Sequence, residues 1–159
     1  MILREYTNQA RIFVLDLYIR VVQAFMIKVL VFGVFDGLHE GHKFLFREAL
    51  KHGDKLIVAL TPDELVLMAK GHLPKFSFEE RVEHLKNADH ISEVIVGDAQ
   101  FSSWHILDKV QPDVIVLGYD QKELEKDLAR HIKEHGLDFK IYVASPFEPD
   151  KYHSSLINK

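Results

Sequence analysis

Apolar positions along this chain of 159 residues fall into two alternating patterns. Five short runs rich in branched residues, at 27–32, 55–60, 93–96, 113–117 and 139–143, read as strands buried on both faces. Between them, apolar residues recur at helical spacing over 42–52, 63–70, 78–88, 102–110 and 121–135. Gly136 just past the last of these helices, and Pro62 and Pro112 in connections, punctuate the pattern. Strands that alternate with helices need crossover connections, and those produce a parallel sheet. The expected fold is α/β: one doubly wound, Rossmann-like domain with five parallel strands in the order 3-2-1-4-5 and helices on both faces.

Residues 1–25 stand outside that alternation. Ile12-Phe13-Val14-Leu15 and Leu17-Tyr18-Ile19 are apolar, but Asp16 and Arg20 interrupt them, and no run approaches the roughly 20 residues that cross a bilayer. A signal peptide is disfavoured by the acidic residue inside the apolar part and by the lack of a small-residue cleavage site. Ile12, Leu15, Ile19 and Val22, with Tyr18 and Phe25 beside them, fit one face of a helix. A docked helix or dimer contact, a peripheral membrane helix, and an upstream extension before a working start at Met26 all fit this pattern. The expected division is an extension at 1–25 and a domain at 26–159.

Composition narrows the function. Hydrophobic residues at 47% and charged residues at 28% are those of a globular chain, not a disordered one. A net charge of −4 argues against gripping a nucleic-acid backbone, which needs a basic face. The chain has no cysteine, which removes disulfides, thiolate zinc sites and cysteine nucleophiles together and suits a cytoplasmic protein.

A doubly wound sheet binds ligands at the carboxyl ends of its strands, where the strand order reverses. The segment leaving the first strand is Gly33-Val34-Phe35-Asp36-Gly37-Leu38-His39-Glu40-Gly41-His42, and it opens the first helix of the domain. Its glycines let backbone amides approach a ligand, and the helix amino terminus adds unpaired N–H groups and a positive dipole end. That combination suits phosphate. His39 and His42, three apart, point into the same space once the helix has begun, and two imidazoles there can donate to phosphoryl oxygens. As a metal pair they lack a third ligand nearby other than Asp36 or Glu40, and their spacing is not the metalloprotease one. The segment also lacks the Gly-Lys-Ser/Thr ending of a Walker loop and the dinucleotide fingerprint's glycine spacing.

The segment 33–42 resembles the Gly-x-Phe-Asp-x-x-His-x-Gly-His signature of the cytidylyltransferase-like nucleotidyltransferases, over a stretch from about Met26 to Ile157. The resemblance implies attack by a substrate phosphate on the α-phosphorus of a nucleoside triphosphate, with pyrophosphate released. His39 and His42 would then contact the nucleotide's phosphates, and Gly33, Val34, Phe35, Asp36 and Gly41 would shape the nucleotide site. Lys70 lies where the family carries a lysine-rich loop, with Lys75 a second candidate, and Arg81 matches a helix arginine that the family directs at phosphates. No carboxylate stands three or four residues from Arg81, and Ser77 with Glu80 forms a plausible capping box.

Gly118-Tyr119-Asp120-Gln121 leaves the fourth strand opposite the histidine segment. Gly118 would let the nucleotide approach, and Asp120 would accept from ribose or base while capping the following helix. The motif looks like that of archaeal-type FAD synthases, whereas glycerol-3-phosphate cytidylyltransferases more often show Gly-Asp-Asp-Trp. This favours ATP over CTP and FMN over a phospho-alcohol such as glycerol 3-phosphate. Near the end, Lys151, Ser154 and Ser155 resemble a phosphate-binding closing segment, without the Arg-Thr and Ile-Ser-Thr of cytidylyltransferases. That departure also fits a nucleotide-binding module that no longer turns over. The family pattern further implies Mg²⁺ carried mainly by the triphosphate, with Asp36 a candidate ligand, and a homodimer that binds neither nucleic acid nor membrane.

Overall fold

The computed structural model describes residues 2–147, and side chains from residue 7 onward. Five parallel strands form one sheet in the order β3-β2-β1-β4-β5: β1 (Lys28–Gly33), β2 (Lys55–Leu60), β3 (Glu93–Val96), β4 (Val114–Leu117) and β5 (Lys140–Val143). Six helices complete the order of elements: α1 (Ile2–Phe25) before β1, then α2 (Glu40–Leu50), α3 (Asp63–Lys70), α4 (Phe78–Lys86), α5 (His105–Val110) and α6 (Lys122–His135). The order and the parallel sense are those expected from the alternation of patterns.

The central strands build two cores by alternation, since successive side chains point to opposite faces of a sheet. Val29, Val31, Leu56, Val58, Leu60 and Val114 face Phe46 and Ala49 of α2 and Leu85 of α4. Leu30, Ile57, Ala59, Ile115 and Leu117 face Ile106 and Leu107 of α5 and Leu128 of α6. Each fully buried branched side chain contributes about 1.5–3 kcal/mol relative to exposure, which makes these central strands the rigid frame of the molecule. Register brings Gly33 level with Leu60, so β1 and β2 end together and their outgoing loops share one edge.

Three helix starts differ from expectation for local reasons. α2 begins at Glu40 rather than 42, because His39 itself caps the helix: its imidazole accepts from the Gly41 N–H. α5 begins at His105 rather than 102, because Ser102 and Trp104 take positive φ angles of 58° and 54° that no α-helix accommodates. α6 begins at Lys122, with Gln121 and not Asp120 at its N-cap. Ser77 and Glu80 do form the reciprocal capping box at the start of α4, and Gly136 ends α6 in the left-handed conformation at φ 62°.

Among its described side chains, residues 7–25, α1 contributes none to either core. Its described apolar side chains, Phe13 and Leu15 among them, are exposed on every face, and Asp16 pairs with Arg20 one turn later. Among the described residues, no helix is long and apolar enough to cross a membrane.

Candidate active site

One cavity of about 370 Å³ opens at the carboxyl edge of the sheet. It is bounded by the β1–α2 turn, the loops after β3 and β4, and the segment after β5. Gly33, Val34, Phe35, His39, Gly41 and His42 form one wall, Gly118, Tyr119 and Asp120 another, and Lys70 stands on the rim. Gly33 and Gly118, 85 positions apart in sequence, therefore line one cavity, because β1 and β4 are neighbours in the sheet.

The histidine pair is built from the turn upward. Phe35 sits at φ 49° and folds its ring back over Gly33, where a Cβ would lie 2.8 Å from the ring. That ring is buried between Phe46 and His42, edge-on to the His42 imidazole with ring centroids 5.0 Å apart. His39 and His42 stack at 3.7 Å between ring centroids, 27° from parallel. His39 Nδ1 accepts from the Gly41 N–H at 3.1 Å, so a neutral ring carries its proton on Nε2. Burial lowers the pKa of His39, partly offset by the neighbouring Glu40 carboxylate. Burial, reinforced by His39, pushes His42 down to about 3, with the Gly37 backbone acting weakly in the other direction. Both rings are therefore neutral near pH 7, and they enter the cavity as hydrogen-bonding dipoles rather than as cations.

The opposite wall is latched by a residue that pattern alone does not single out. Gln121 Oε1 accepts from the Gly118 N–H at 2.7 Å, and its Nε2 donates to the Phe32 carbonyl at 3.0 Å, tying the end of β4 to the end of β1. Thr61 closes the other side of β1, donating to the Gly33 carbonyl through both its backbone N–H and its hydroxyl. A Cβ at Gly118 would stand 2.9 Å from an Asp120 carboxylate oxygen and 3.4 Å from Gln121 Oε1, so a side chain there would displace Asp120. Asp120 does not cap α6 as expected: the chain turns at 119–120, and the cap passes to Gln121.

Two expected site residues are committed elsewhere. Arg81 is fully buried and does not line the cavity. Its guanidinium donates to the Val34 carbonyl at 2.6 Å and the Thr61 carbonyl at 3.0 Å, forms an ion pair with Asp63, and lies over the Phe78 ring. The carboxylate partner missing from its own helix comes from the start of α3, 18 residues upstream. Asp36 also turns away from the cavity. Its two oxygens accept from the backbone N–H groups of Lys75 and Phe76, which holds the loop between α3 and α4 against the turn. Asp36 is thus occupied as a loop anchor, and the described residues assemble no group of three or more His, Asp or Glu suited to a metal ion. Lys151, Ser154 and Ser155 lie outside the described residues.

Aromatic residues at the cavity mouth are the largest surprise. Phe44 stacks on Phe147 at 4.9 Å, while Phe101 and Trp104 line the cavity from the loop that follows β3. Only the crowding of aromatics at 101 and 104 after a strand end signals them in the sequence.

Comparison with known proteins is consistent with this geometry. The profile of the family described as cytidylyltransferase-like matches residues 30–159. The chain is similar to the FAD synthase of Pyrococcus horikoshii, 38% identical over 115 residues that cover 72% of this chain and 78% of that one. It is similar too to the FAD synthase of Thermoplasma acidophilum, 32% identical over 134 residues covering 84% and 93% of the two chains. A crystal structure described as a lipopolysaccharide core biosynthesis protein from Thermoplasma volcanium superposes with a TM-score of 0.70 at 33% identity, covering 77% of this chain and 99% of that one.

Proposed function

The chain belongs to the cytidylyltransferase-like family of nucleotidyltransferases, and from that premise we propose that it transfers the adenylyl group of ATP to FMN, forming FAD. A phosphate oxygen of FMN attacks the α-phosphorus, the bond between the α-phosphorus and the bridging oxygen breaks, and pyrophosphate leaves with that electron pair. FMN's phosphate is already ionised near neutral pH, so no general base is required. The observation that carries the reading is the stacked, neutral histidine pair in the cavity wall facing Gly118–Asp120.

In this reading the chain's own residues position and stabilise rather than react covalently. The Nε2–H of His39, set by the Gly41 contact, donates to a phosphoryl oxygen, and His42 beside it supports the neighbouring phosphate. Incoming phosphate charge opposes the burial that lowers the pKa of His42, while His39 keeps its neutral tautomer as long as its Nδ1 accepts from Gly41. Lys70 on the rim supplies a mobile countercharge to the triphosphate. Gly33, Val34, Phe35 and Gly41 let the backbone lie close to the nucleotide, while Tyr119 and Asp120 border its sugar and base. On the family pattern, Mg²⁺ would be carried mainly by the triphosphate, where it would neutralise charge on the phosphoryl oxygens. On the family pattern, the working form is a cytoplasmic homodimer, which sedimentation of the purified chain checks.

The test is pyrophosphate release by the purified protein with ATP or CTP paired with FMN or glycerol 3-phosphate, and His42→Ala as control. The expected outcome is turnover with ATP and FMN alone, lost in the variant. Turnover only with CTP and glycerol 3-phosphate overturns the substrate assignment and keeps the histidine chemistry, whereas silence in every pairing favours a binding module.

A further inference from the structure

The histidines and the Gly118 wall account for only part of the cavity. A further part of its surface comes from the loop 97–104, which leaves the edge strand β3 and reaches across the carboxyl edge of the sheet to β1 and α6. Trp104 fixes the far end of this loop, because its ring meets Phe32 of β1 edge-on at 5.8 Å and its Nε1–H donates to Asp127 of α6 at 3.0 Å. Asp127 is itself held by Arg130. Within the loop, the Ser103 hydroxyl donates to the Gln100 carbonyl. Ser102 and Trp104 both occupy the left-handed region, a conformation that costs energy in non-glycine residues and persists only where surrounding contacts enforce it. The consequence of this anchoring is that Phe101, 56% exposed, is presented on a rigid loop at the cavity's edge.

The loop lines the cavity with Phe101, its one exposed aromatic ring, and with the polar residues Asp98, Gln100 and Ser102, while Trp104 and Ile106 lie buried behind them. An exposed aromatic ring bordered by polar groups matches a planar heteroaromatic ring, which gains from stacking and has polar edges and substituents to orient it. A small phospho-alcohol would leave the Phe101 ring without a partner.

We propose that Phe101 is the platform on which the ring system of the acceptor stacks, so that loop 97–104 selects a planar aromatic phosphate ester over a small phospho-alcohol. This inference rests on the adenylyl-transfer reading above and assigns its acceptor subsite. Phe101 acts as a specificity residue: it sets the affinity for FMN, not the rate of the transfer itself.

Two measurements on the full chain test it, with Phe101→Ala, Phe101→Trp and the unaltered protein. Titration of FMN with protein, followed by quenching of flavin fluorescence, reads binding without turnover, and steady-state FAD formation reads KM for FMN, KM for ATP and kcat. Phe101→Ala is expected to weaken FMN binding and raise its KM about tenfold, the size of a lost ring stack, with kcat and the KM for ATP unchanged. Phe101→Trp is expected to restore both. Unchanged FMN binding in Phe101→Ala, or a rise confined to the KM for ATP, overturns the assignment. An unaltered protein that binds FMN but makes no FAD overturns the adenylyl-transfer reading alone, and the quenching titration still decides the role of Phe101.

Discussion

A histidine pair and a lone arginine meet the same turn, and they do opposite things. His39 and His42 precede and open α2 and face the cavity, stacked on each other and partly stripped of water. Arg81 approaches from behind, where it takes up the Val34 carbonyl one residue before the strained Phe35. The histidines turn their rings into the cavity, at a cost in burial that their lowered pKa values record. Arg81 turns its guanidinium into the protein, joining the ends of β1 and β2 and the start of α3. A basic residue close to this turn can thus line the cavity or belong to the frame that shapes it, and what separates the two is the direction from which its helix approaches the turn.

The comparison is broken most severely at Arg81. Arg81→Ala leaves Asp63 and two backbone carbonyls without their partner, and is expected to cost about 3–5 kcal/mol of stability, measured by denaturant unfolding. Were Arg81 instead a phosphate ligand, the variant would keep its midpoint and lose affinity for ATP. His42→Ala reverses the pattern. FAD formation should fall about 10²- to 10³-fold, while stability at pH 7 stays within about 1 kcal/mol of the unaltered protein.

Acid sharpens the contrast further. The unfolded chain protonates His42 near its ordinary value of 6.5, and the native chain does so only near 3. Between those limits the unfolded state binds the additional proton, so stability falls as pH drops, by about 2 kcal/mol at pH 5 from this group alone. Thermal unfolding at pH 7 and pH 5 should therefore show a smaller acid loss in His42→Asn than in the unaltered protein.

Removal of residues 1–25 is expected to have the smallest effect. The described side chains of α1 join neither core, so stability should change by no more than about 0.5 kcal/mol and FAD formation should hold. A large loss on truncation would mean that α1 is covered in the working assembly.

Much of this molecule is legible in one dimension. Alternating strand and helix patterns dictate a parallel sheet, because parallel strands are joined only through crossover connections, and the glycine and histidine spacing at 33–42 marks the turn that opens α2 at the cavity. Local chemistry suffices there, since the groups that act are neighbours in the chain. The capping box at Ser77 and Glu80 belongs to the same class.

Long-range pairing decides the rest. Arg81 finds its carboxylate 18 residues away, Asp36 finds its backbone donors about 40 away, and Gln121 finds the Phe32 carbonyl 89 away. Each of these side chains has a plausible local role, as phosphate ligand, metal ligand or bystander. A competing partner brought in by the sheet order overrides it, because a buried donor or acceptor left unpaired costs more than a solvated one gains. Loop 97–104 follows the same rule: helical spacing from 102 is overridden once Trp104 is anchored to Phe32 and Asp127, and Phe101 is left at the cavity mouth. The sequence by itself determined the alternation of strands and helices in the sheet domain and singled out the turn at 33–42. The tertiary structure alone decided which polar side chains the fold draws inward as partners and which it leaves lining the cavity, because those partners lie far apart in the chain.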